Sequence, residues 1–249
     1  PARGLPTIQG MIALCDAEIG ALLAIMDSIE ITLRRTAAAS ALAARHLARA
    51  ESKVFAICGC GAQARPQTEA LAALFRFECG FAWDIDREKA QAFARAMEQA
   101  LKIPFSAAEM RAATGEADVI VTCTTARTSF LTEADISPGV FIAAVGADSA
   151  DKNEIAASLM AKAKVVVDVL DQCLVMGDLH HAVTSGAMTA EDVHADLGEI
   201  VTGAKLGRTT DDEIIIFDST GTALQDVASA ALAYNRAQAS SAGQTFAFT

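Results

Sequence analysis

The segment at residues 53–71, KVFAICGCGAQARPQTEAL, constrains the fold more than any other part of the sequence. An apolar run leads directly into GCGAQA at residues 59–64, a GxGxxA pattern, and the residues that follow are typical of a helix. In a dinucleotide-binding fold the first glycine permits a tight turn, the second lets the backbone approach a pyrophosphate, and the small third residue lets the helix pack against the strand. The pattern therefore predicts that Gly59 and Gly61 contact a dinucleotide; a glycine turn with a purely structural role is the alternative.

Apolar runs of strand length recur along the chain, and most of them are separated by helical stretches. They lie at residues 53–58, 80–84, 118–123, 140–145, 164–168 and 213–217. Each run is continuously apolar, which is typical of parallel strands that are covered on both faces. The alternation of strand and helix predicts an α/β fold with a doubly wound, Rossmann-type sheet.

An acidic residue, Asp84, ends the second of these runs about 25 residues after Gly59. In folds of this kind an acid at that place suits the two ribose hydroxyls and repels the 2′-phosphate of NADP. The sequence therefore predicts NAD as the cofactor. Arg87 lies three residues further on, so we expect the discrimination to be incomplete.

The first part of the chain has a different pattern. Short apolar runs at residues 10–15 and 21–26 flank a polar turn and predict a β-hairpin, after which Thr32 is the predicted cap of a helix over residues 33–49. A final helix is predicted over residues 223–239. Because an isolated two-stranded hairpin is marginally stable in water, we expect its neighbours to come from a second subunit or from a preceding segment. A homodimer is the resulting prediction.

Composition excludes several classes of partner. The 249 residues carry a net charge of −11 without a basic run, which argues against nucleic acid, and no apolar stretch approaches the ~20 residues of a membrane span. The six cysteines form no CxxC pair, so we expect no metal site and interpret them as buried, reduced thiols of a cytoplasmic protein. They are Cys15, Cys58, Cys60, Cys79, Cys123 and Cys173.

Six segments together resemble the ornithine cyclodeaminase/mu-crystallin family over essentially the whole chain. They are ITLRRTAAASALAARHLAR (31–49), GCGAQAR (59–65), ADVIVTCTTA (117–126), AAVGADSADKNEI (143–155), GEIVTGAKLGR (198–208) and FDSTGTALQDVASA (217–230). The resemblance implies that an NAD-binding Rossmann domain, residues 41–221, is inserted in a second, mixed α+β domain for substrate binding and dimerisation. Residues 1–40 and 222–249 would be the remnant of that second domain, with its beginning absent.

The resemblance also implies roles for individual residues. Asp148 matches the catalytic acid/base, Arg35 the arginine that meets the substrate carboxylate near the cofactor, and Thr220 a substrate contact. The other matches to cofactor-contacting positions are Thr7, Ala62, Gln63, Asp84, Thr124 or Thr125, Ile142, Ala143, Ala144, Val145, Lys152 and Ser219. Independently of the resemblance, VGAD ends an apolar run where an open α/β sheet places its ligands; an Asp that caps a turn or helix is the alternative there.

For function, the resemblance implies ornithine cyclodeamination, the conversion of L-ornithine to L-proline and ammonia. Bound NAD+ would take a hydride from the α-carbon and return it to the cyclic imine, while Asp148 moves protons between the two nitrogens. A ketimine or Δ1-pyrroline-2-carboxylate reductase, or an alanine dehydrogenase, is the first alternative, with the same small amino-acid or imine partner. A mu-crystallin-like binding protein without catalysis is the second.

Overall fold

The computed structural model describes residues 9–246, so the predicted cofactor contact Thr7 lies outside the described residues. Contacts within the chain define two compact units. The outer unit combines the residues up to Arg35 with those from Thr222, and the inner unit is Thr36–Gly221. The assignment of the outer unit to substrate binding and dimerisation stays a prediction.

The outer unit contains the predicted hairpin. Strands β1 (Met11–Cys15) and β2 (Leu22–Asp27) pair antiparallel, which confirms it. The C-terminal helix α9 (Ala223–Ser240) belongs to the same unit and matches the predicted helix. The expectation of buried thiols holds for Cys58 and Cys173, whereas Cys60, Cys79 and Cys123 are partly exposed and Cys15 on β1 is exposed.

Helix α1 (Ser28–Leu47) begins five residues earlier than predicted, and the prediction of Thr32 as its cap was wrong. The backbone N–H of Ile29 donates to Oδ1 of Asp27 at 2.6 Å, so the last residue of β2 caps the helix instead. Strand and helix therefore follow each other without a loop. Thr32 lies in the second turn of the helix.

The inner unit contains one sheet of eight parallel strands in the order β5-β4-β3-β6-β7-β10-β8-β9. The strands are β3 (Val54–Cys58), β4 (Cys79–Trp83), β5 (Phe105–Ala107), β6 (Val119–Thr122), β7 (Phe141–Ala144), β8 (Lys164–Val167), β9 (Ala195–Asp196) and β10 (Ile215–Asp218). The six predicted strands are confirmed within two residues. Strands β5 and β9 were not predicted, because three and two residues are too few to show a pattern.

Helices connect these strands and cover the sheet, which makes the unit an α/β fold of the Rossmann type. They are α2 (Ala64–Ala72), α3 (Arg87–Leu101), α4 (Met110–Thr114), α5 (Ala157–Lys162), α6 (Leu170–Cys173), α7 (Asp178–Thr184) and α8 (Leu197–Val201). On β3 the side chains of Phe55 and Ile57 enter one apolar cluster, while Ala56 and Cys58 enter another. Both faces of the strand are thus buried, which explains its continuous apolar sequence. In the part of the chain from 9 to 246, no helix combines the length and hydropathy needed to span a bilayer.

The strand order reverses between β3 and β6, and this topological switch point positions the site. From β3 the chain continues outward to β4 and β5, then returns to β6 and β7 on the other side. The last residues of these central strands are paired in register, Cys58 with Thr122 and Thr122 with Ala144. Ligands of open α/β sheets bind outside the carboxyl ends of the strands at such a point. The predicted site residues of the inner unit lie on or just after strands at this edge, except Asp148 and Lys152, which lie further along the loop that follows β7.

We expect Gly80→Ala to destabilise the inner unit by about 1–3 kcal/mol, the usual effect of adding volume to a filled core. A Cβ on Gly80 would clash with Cε2 of Phe105, whose ring packs between those of Phe55 and Phe93. Urea unfolding measures the change. Gly198→Ala is the control, since nothing lies within 4 Å of its new Cβ, and equal stability of the two variants would contradict the prediction.

Candidate active site

The glycine turn between β3 and α2 uses its two glycines for different reasons. Gly59 has a φ of +99°, and a Cβ there would lie 2.9 Å from the carbonyl oxygen of Cys123. The fold itself therefore requires Gly59. Gly61 has no positive φ and nothing within 4 Å of an added Cβ, so the fold leaves open space in front of it. That space is what a ligand approaching the backbone needs.

The start of α2 completes the turn. Ala64, the small third position of the pattern, is fully buried. Gln63 occupies the N-cap position without a side-chain cap, and its Oε1 is buried without a hydrogen-bond partner. Ala62 is exposed in front of the helix. An uncapped helix N-terminus beside the open space at Gly61 suits an anionic group such as a pyrophosphate.

Asp84 joins the turn to the next strand. Its Oδ2 accepts the backbone N–H of Cys60 at 2.8 Å, and its Oδ1 accepts that of Asp86 at 2.8 Å. Burial and the nearby Asp84 raise the pKa of the Cys60 thiol to about 12, so this cysteine keeps its proton. Asp84 also lines a cleft of about 310 Å³ together with Arg87, Glu109 and the apolar side of Ala107. The cleft combines these charged side chains with apolar ones such as Trp83 and Ile85, and the contact of Asp84 with an adenosine ribose stays a prediction.

Asp148 and Lys152 follow β7 and form an ion pair. Lys152 Nζ donates to Oδ1 of Asp148 at 2.5 Å, and the side chain of Asp148 is 58% exposed. Within residues 9–246 this lysine is the only hydrogen-bond partner of the Asp148 side chain. An Asp that caps a turn or helix would accept a backbone N–H, and the carboxylate of Asp148 accepts none within these residues. Its role as the acid/base stays a prediction.

Glu154, which is fully buried, holds the loop that carries this ion pair through hydrogen bonds. Oε2 of Glu154 accepts the hydroxyl of Thr122 at 2.7 Å and the N–H of Gly146 at 2.9 Å, and Oε1 accepts the N–H of Thr124 at 2.6 Å. A Cβ on Gly146 would lie 2.5 Å from this carboxylate, so the glycine permits the contact. Glu154 thus links the ends of β6 and β7. Thr124 is half-buried here, whereas Thr125 is exposed.

Two more buried carboxylates, those of Asp178 and Asp218, accept backbone N–H groups near the same edge of the sheet. Oδ1 of Asp178 accepts the N–H groups of Glu154 and Ile155 at 2.6 and 2.9 Å, and Oδ2 of Asp218 accepts that of Leu179 at 2.8 Å. The remaining oxygens, Asp178 Oδ2 and Asp218 Oδ1, are buried without a partner. Burial raises the pKa of Glu154 and of Asp178, the latter also through the charges of Asp218 and Glu154. Burial, with a contribution from Asp168, raises the pKa of Asp218 to about 7.

Ser219 and Thr220 follow β10, and both hydroxyls donate to Asp168 at the end of β8, at 3.1 and 3.2 Å. Ser219 also donates its backbone N–H to the carbonyl oxygen of Ala144. The side chains of Ile142, Ala143 and Ala144 lie in the core, and Val145 is 8% exposed. Any cofactor contact of residues 142–144 would therefore involve their backbone.

Arg35 belongs to the outer unit, where its side chain is 15% exposed. Its Nε donates to Oδ1 of Asp226 at 3.1 Å and its Nη1 to Oε1 of Gln225 at 3.2 Å. Two nitrogen atoms of the Arg35 guanidinium group thus donate to side chains of α9. A contact of Arg35 with a substrate carboxylate stays a prediction.

Sequence reasoning missed Glu154, Asp168, Asp178 and Asp218. Asp168 and Asp218 directly follow or end an apolar run, the same signal that singled out Asp84, and could have been found in that way. Glu154 and Asp178 lie in loops or at a helix start without such a signal. In the described part of the chain, no three acidic, cysteine or histidine side chains are arranged to hold a metal ion.

The fold and this edge define a dinucleotide-binding protein of the Rossmann class. Residues 1–241 match the model of the ornithine cyclodeaminase/mu-crystallin family. The protein belongs to this family, and the prediction from the six segments is confirmed.

Three solved structures illustrate the similarity. An archaeal alanine dehydrogenase dimer with bound NAD is 40% identical with a TM-score of 0.96, and the match covers 100% of this chain and 77% of that one. The Δ1-pyrroline-2-carboxylate reductase of Thermococcus litoralis, in complex with NADH and L-proline, is 36% identical with a TM-score of 0.95, covering 98% and 76%. A lysine cyclodeaminase that recognises L-lysine, L-ornithine and L-2,4-diaminobutyric acid is 33% identical with a TM-score of 0.89, covering 100% and 72%.

We expect Gly61→Ala to weaken NAD binding at least about 10-fold, or about 1.4 kcal/mol, because the methyl group would occupy the space in front of the turn. The melting temperature should not change, since the new Cβ meets no protein atom. Fluorescence titration and thermal unfolding measure the two quantities. Gly198→Ala, also in open space, is the control and should bind NAD normally. Normal affinity in Gly61→Ala would refute the role of the turn.

We also expect the contribution of Asp218 to the free energy of unfolding to fall as the pH rises from about 5 to about 8. The folded-state pKa of Asp218, about 7, lies above its unfolded value of about 3.9, so its stabilising contribution is complete below about pH 4 and is lost as the pH rises towards 7. Asp218→Asn cannot ionise and should lose less free energy of unfolding between about pH 5 and pH 8 than the parent protein. Denaturant unfolding at both pH values measures this. The exposed Asp171→Asn is the control and should keep the parent slope; an unchanged slope in Asp218→Asn would contradict the prediction.

Proposed function

We propose that this protein is an NAD-dependent oxidoreductase of amino acids or their imines. The observation that carries the proposal is the similarity to alanine dehydrogenase and Δ1-pyrroline-2-carboxylate reductase, with TM-scores of 0.96 and 0.95 over nearly the whole chain. NAD is the cofactor, because the related structures hold NAD or NADH and because Gly61, the start of α2 and Asp84 fit a dinucleotide. Asp84 favours NAD over NADP, since a 2′-phosphate would approach its carboxylate.

Ornithine cyclodeamination, the interpretation favoured from the sequence alone, receives less support than its alternative. The lysine cyclodeaminase has a lower identity, 33%, and a lower TM-score, 0.89, than the two oxidoreductases. It remains the second candidate because that structure covers the entire chain. A specific role in proline biosynthesis stays a prediction.

Both candidate reactions need the same work from this chain. When bound, NAD exchanges a hydride with the α-carbon of the substrate. An amine nitrogen enters as ammonium, so a neighbouring group must accept its proton. Asp148 fits this role because Lys152 holds Oδ1 and leaves Oδ2 available. The predicted substrate contacts are Arg35 and Thr220.

We further propose a homodimer formed through the outer unit. Its hairpin and C-terminal helix expose large apolar side chains, including Met11 at 69%, Ile25 at 57% and Leu224 at 76%. A stable protein rarely leaves such a surface uncovered. The related alanine dehydrogenase is a dimer, which supports the same assembly here.

A substrate panel distinguishes the candidates. The protein is incubated with L-alanine or L-proline and NAD+, with pyruvate and ammonia or Δ1-pyrroline-2-carboxylate and NADH, and with L-ornithine or L-lysine and a small amount of NAD+. Net change of NADH identifies an oxidoreductase, whereas cyclic amino acid and ammonia without net NADH identify a cyclodeaminase. Tight NADH binding without turnover of any substrate would support the mu-crystallin-like alternative and refute the proposal. Repeating the active assay with NADPH tests the cofactor preference.

We expect Asp148→Asn to lower turnover by roughly 10²–10⁴, the usual contribution of a positioned general acid/base. NAD affinity and melting temperature should hardly change, because Asp148 is exposed and holds no backbone group. Asp151→Asn is the matched control: it lies three residues away, is exposed and pairs with Arg127. Preserved turnover in Asp148→Asn would remove this residue from the mechanism.

A further inference from the structure

The carboxylate of Asp168 collects hydrogen bonds from two segments at the carboxyl edge. Oδ1 accepts from Val169 N at 2.9 Å, Thr220 Oγ1 at 3.2 Å and Cys173 Sγ at 3.3 Å, and Oδ2 accepts from Gly221 N at 2.6 Å and Ser219 Oγ at 3.1 Å. A carboxylate can only accept. The hydroxyl hydrogens of Ser219 and Thr220 are therefore both directed at Asp168.

Gln172, on helix α6, makes this direction unambiguous for Thr220. Its Nε2 lies 2.6 Å from the carbonyl oxygen of Gly221 and 2.8 Å from Oγ1 of Thr220. Because the carbonyl oxygen only accepts, the amide nitrogen must be the atom that faces it, and the second N–H of that nitrogen donates to Thr220. The Thr220 oxygen is thus an acceptor towards Gln172 and a donor towards Asp168.

Cys173 does not compete for these positions. Its Sγ lies 3.7 Å from Thr220 Oγ1 but 3.3 Å from Oδ1 of Asp168. Burial, with the charges of Asp218 and Asp168, raises the pKa of its thiol, which therefore stays protonated. The S–H donates to the nearer and charged acceptor.

Gly177 leaves room for the methyl group of Thr220. A Cβ at Gly177 would lie 2.8 Å from Cγ2 of Thr220, so the methyl group already packs against the glycine. Rotating the side chain would move Oγ1 away from both polar partners. A hydroxyl has one hydrogen and two lone pairs, of which the hydrogen and one lone pair are used. One lone pair is left on Oγ1 of Thr220, a residue that is 9% exposed.

We propose that Asp168 and Gln172 are positioning residues that hold Thr220 as a hydrogen-bond acceptor towards the substrate. The site would thereby select a substrate nitrogen that carries hydrogen, an amine or a protonated imine, over a carbonyl or ether oxygen at the same place, which cannot donate. This inference rests on the proposed function, in which Thr220 contacts the substrate. Ser219, whose hydrogen is also directed at Asp168, presents lone pairs that suit the N–H groups of a carboxamide.

The test compares ligands that differ at one atom, bound to the protein saturated with NADH. The pairs are L-proline with (S)-tetrahydrofuran-2-carboxylate, and L-alanine with (S)-2-methoxypropanoate. In each pair the nitrogen that carries hydrogen is replaced by an ether oxygen, which cannot donate, while the carboxylate stays. Calorimetric titration measures binding without turnover. We expect the nitrogen ligand of the accepted pair to bind at least about 10-fold more tightly, as a hydrogen bond to a charged group allows.

Two variants separate positioning from folding. In Asp168→Asn the new amide can donate to Thr220, so the threonine hydrogen can turn to the ligand; we expect the preference to fall below about 3-fold when the variant is again saturated with NADH. Thr220→Val removes the same hydrogen bond without changing charge and should lower the preference in the same direction. Asp171→Asn is the control for the lost charge, because Asp171 is an exposed acid on helix α6, three residues after Asp168; this variant should keep the preference.

Each result decides the inference. A preference that survives in Thr220→Val overturns it, and this variant decides alone if Asp168→Asn does not fold. A lower melting temperature of Asp168→Asn with an unchanged preference shows a structural role and also overturns it. If the parent protein turns over an amino acid but binds both ligands of a pair equally, the inference fails and the proposed function stands. If it binds NADH but no ligand of either pair and turns over no amino acid or imine, both fail.

Discussion

Backbone N–H groups in the loops that follow the parallel strands need hydrogen-bond acceptors, and in this protein several of these acceptors are buried or half-buried carboxylates. Where a parallel strand ends, the following loop loses its ladder partners, and an unpaired buried N–H costs about 1–3 kcal/mol. Asp84 accepts Cys60 N, Glu154 accepts Thr124 N and Gly146 N, and Asp168 accepts Gly221 N. The conformation of the loops at the candidate site therefore depends on hydrogen bonds to acidic side chains.

This arrangement has an electrostatic consequence. Glu154, Asp178 and Asp218 are fully buried, and none of them forms an ion pair in the described part of the chain. Burial without a cation disfavours the charged form, which is why the pKa of each is raised. The same residues that order the loops also make the edge sensitive to pH. The order of these loops is thus coupled to pH through one set of carboxylates.

The two candidate reactions differ little in what they ask of this edge. Net oxidation and cyclodeamination both need an orientated dinucleotide, a proton acceptor and a place for an amine nitrogen. Asp148 with Lys152, and Thr220 held by Asp168, could serve either reaction. The difference lies in whether a second amine on the substrate attacks the oxidised carbon, a choice that depends on the substrate rather than on these residues.

The local signals of the sequence determined much of this protein. The glycine turn, Asp84, six strands and the hairpin could be predicted because each depends on residues close together in the chain, and the six segments sufficed for the family. Other features depend on contacts between residues far apart in sequence. Arg35 meets Asp226 across 191 residues, and Asp168 meets Thr220 across 52. Such contacts leave no periodic or local signal, so only the tertiary structure decided which carboxylates hold the site together and in which direction its hydroxyl groups point.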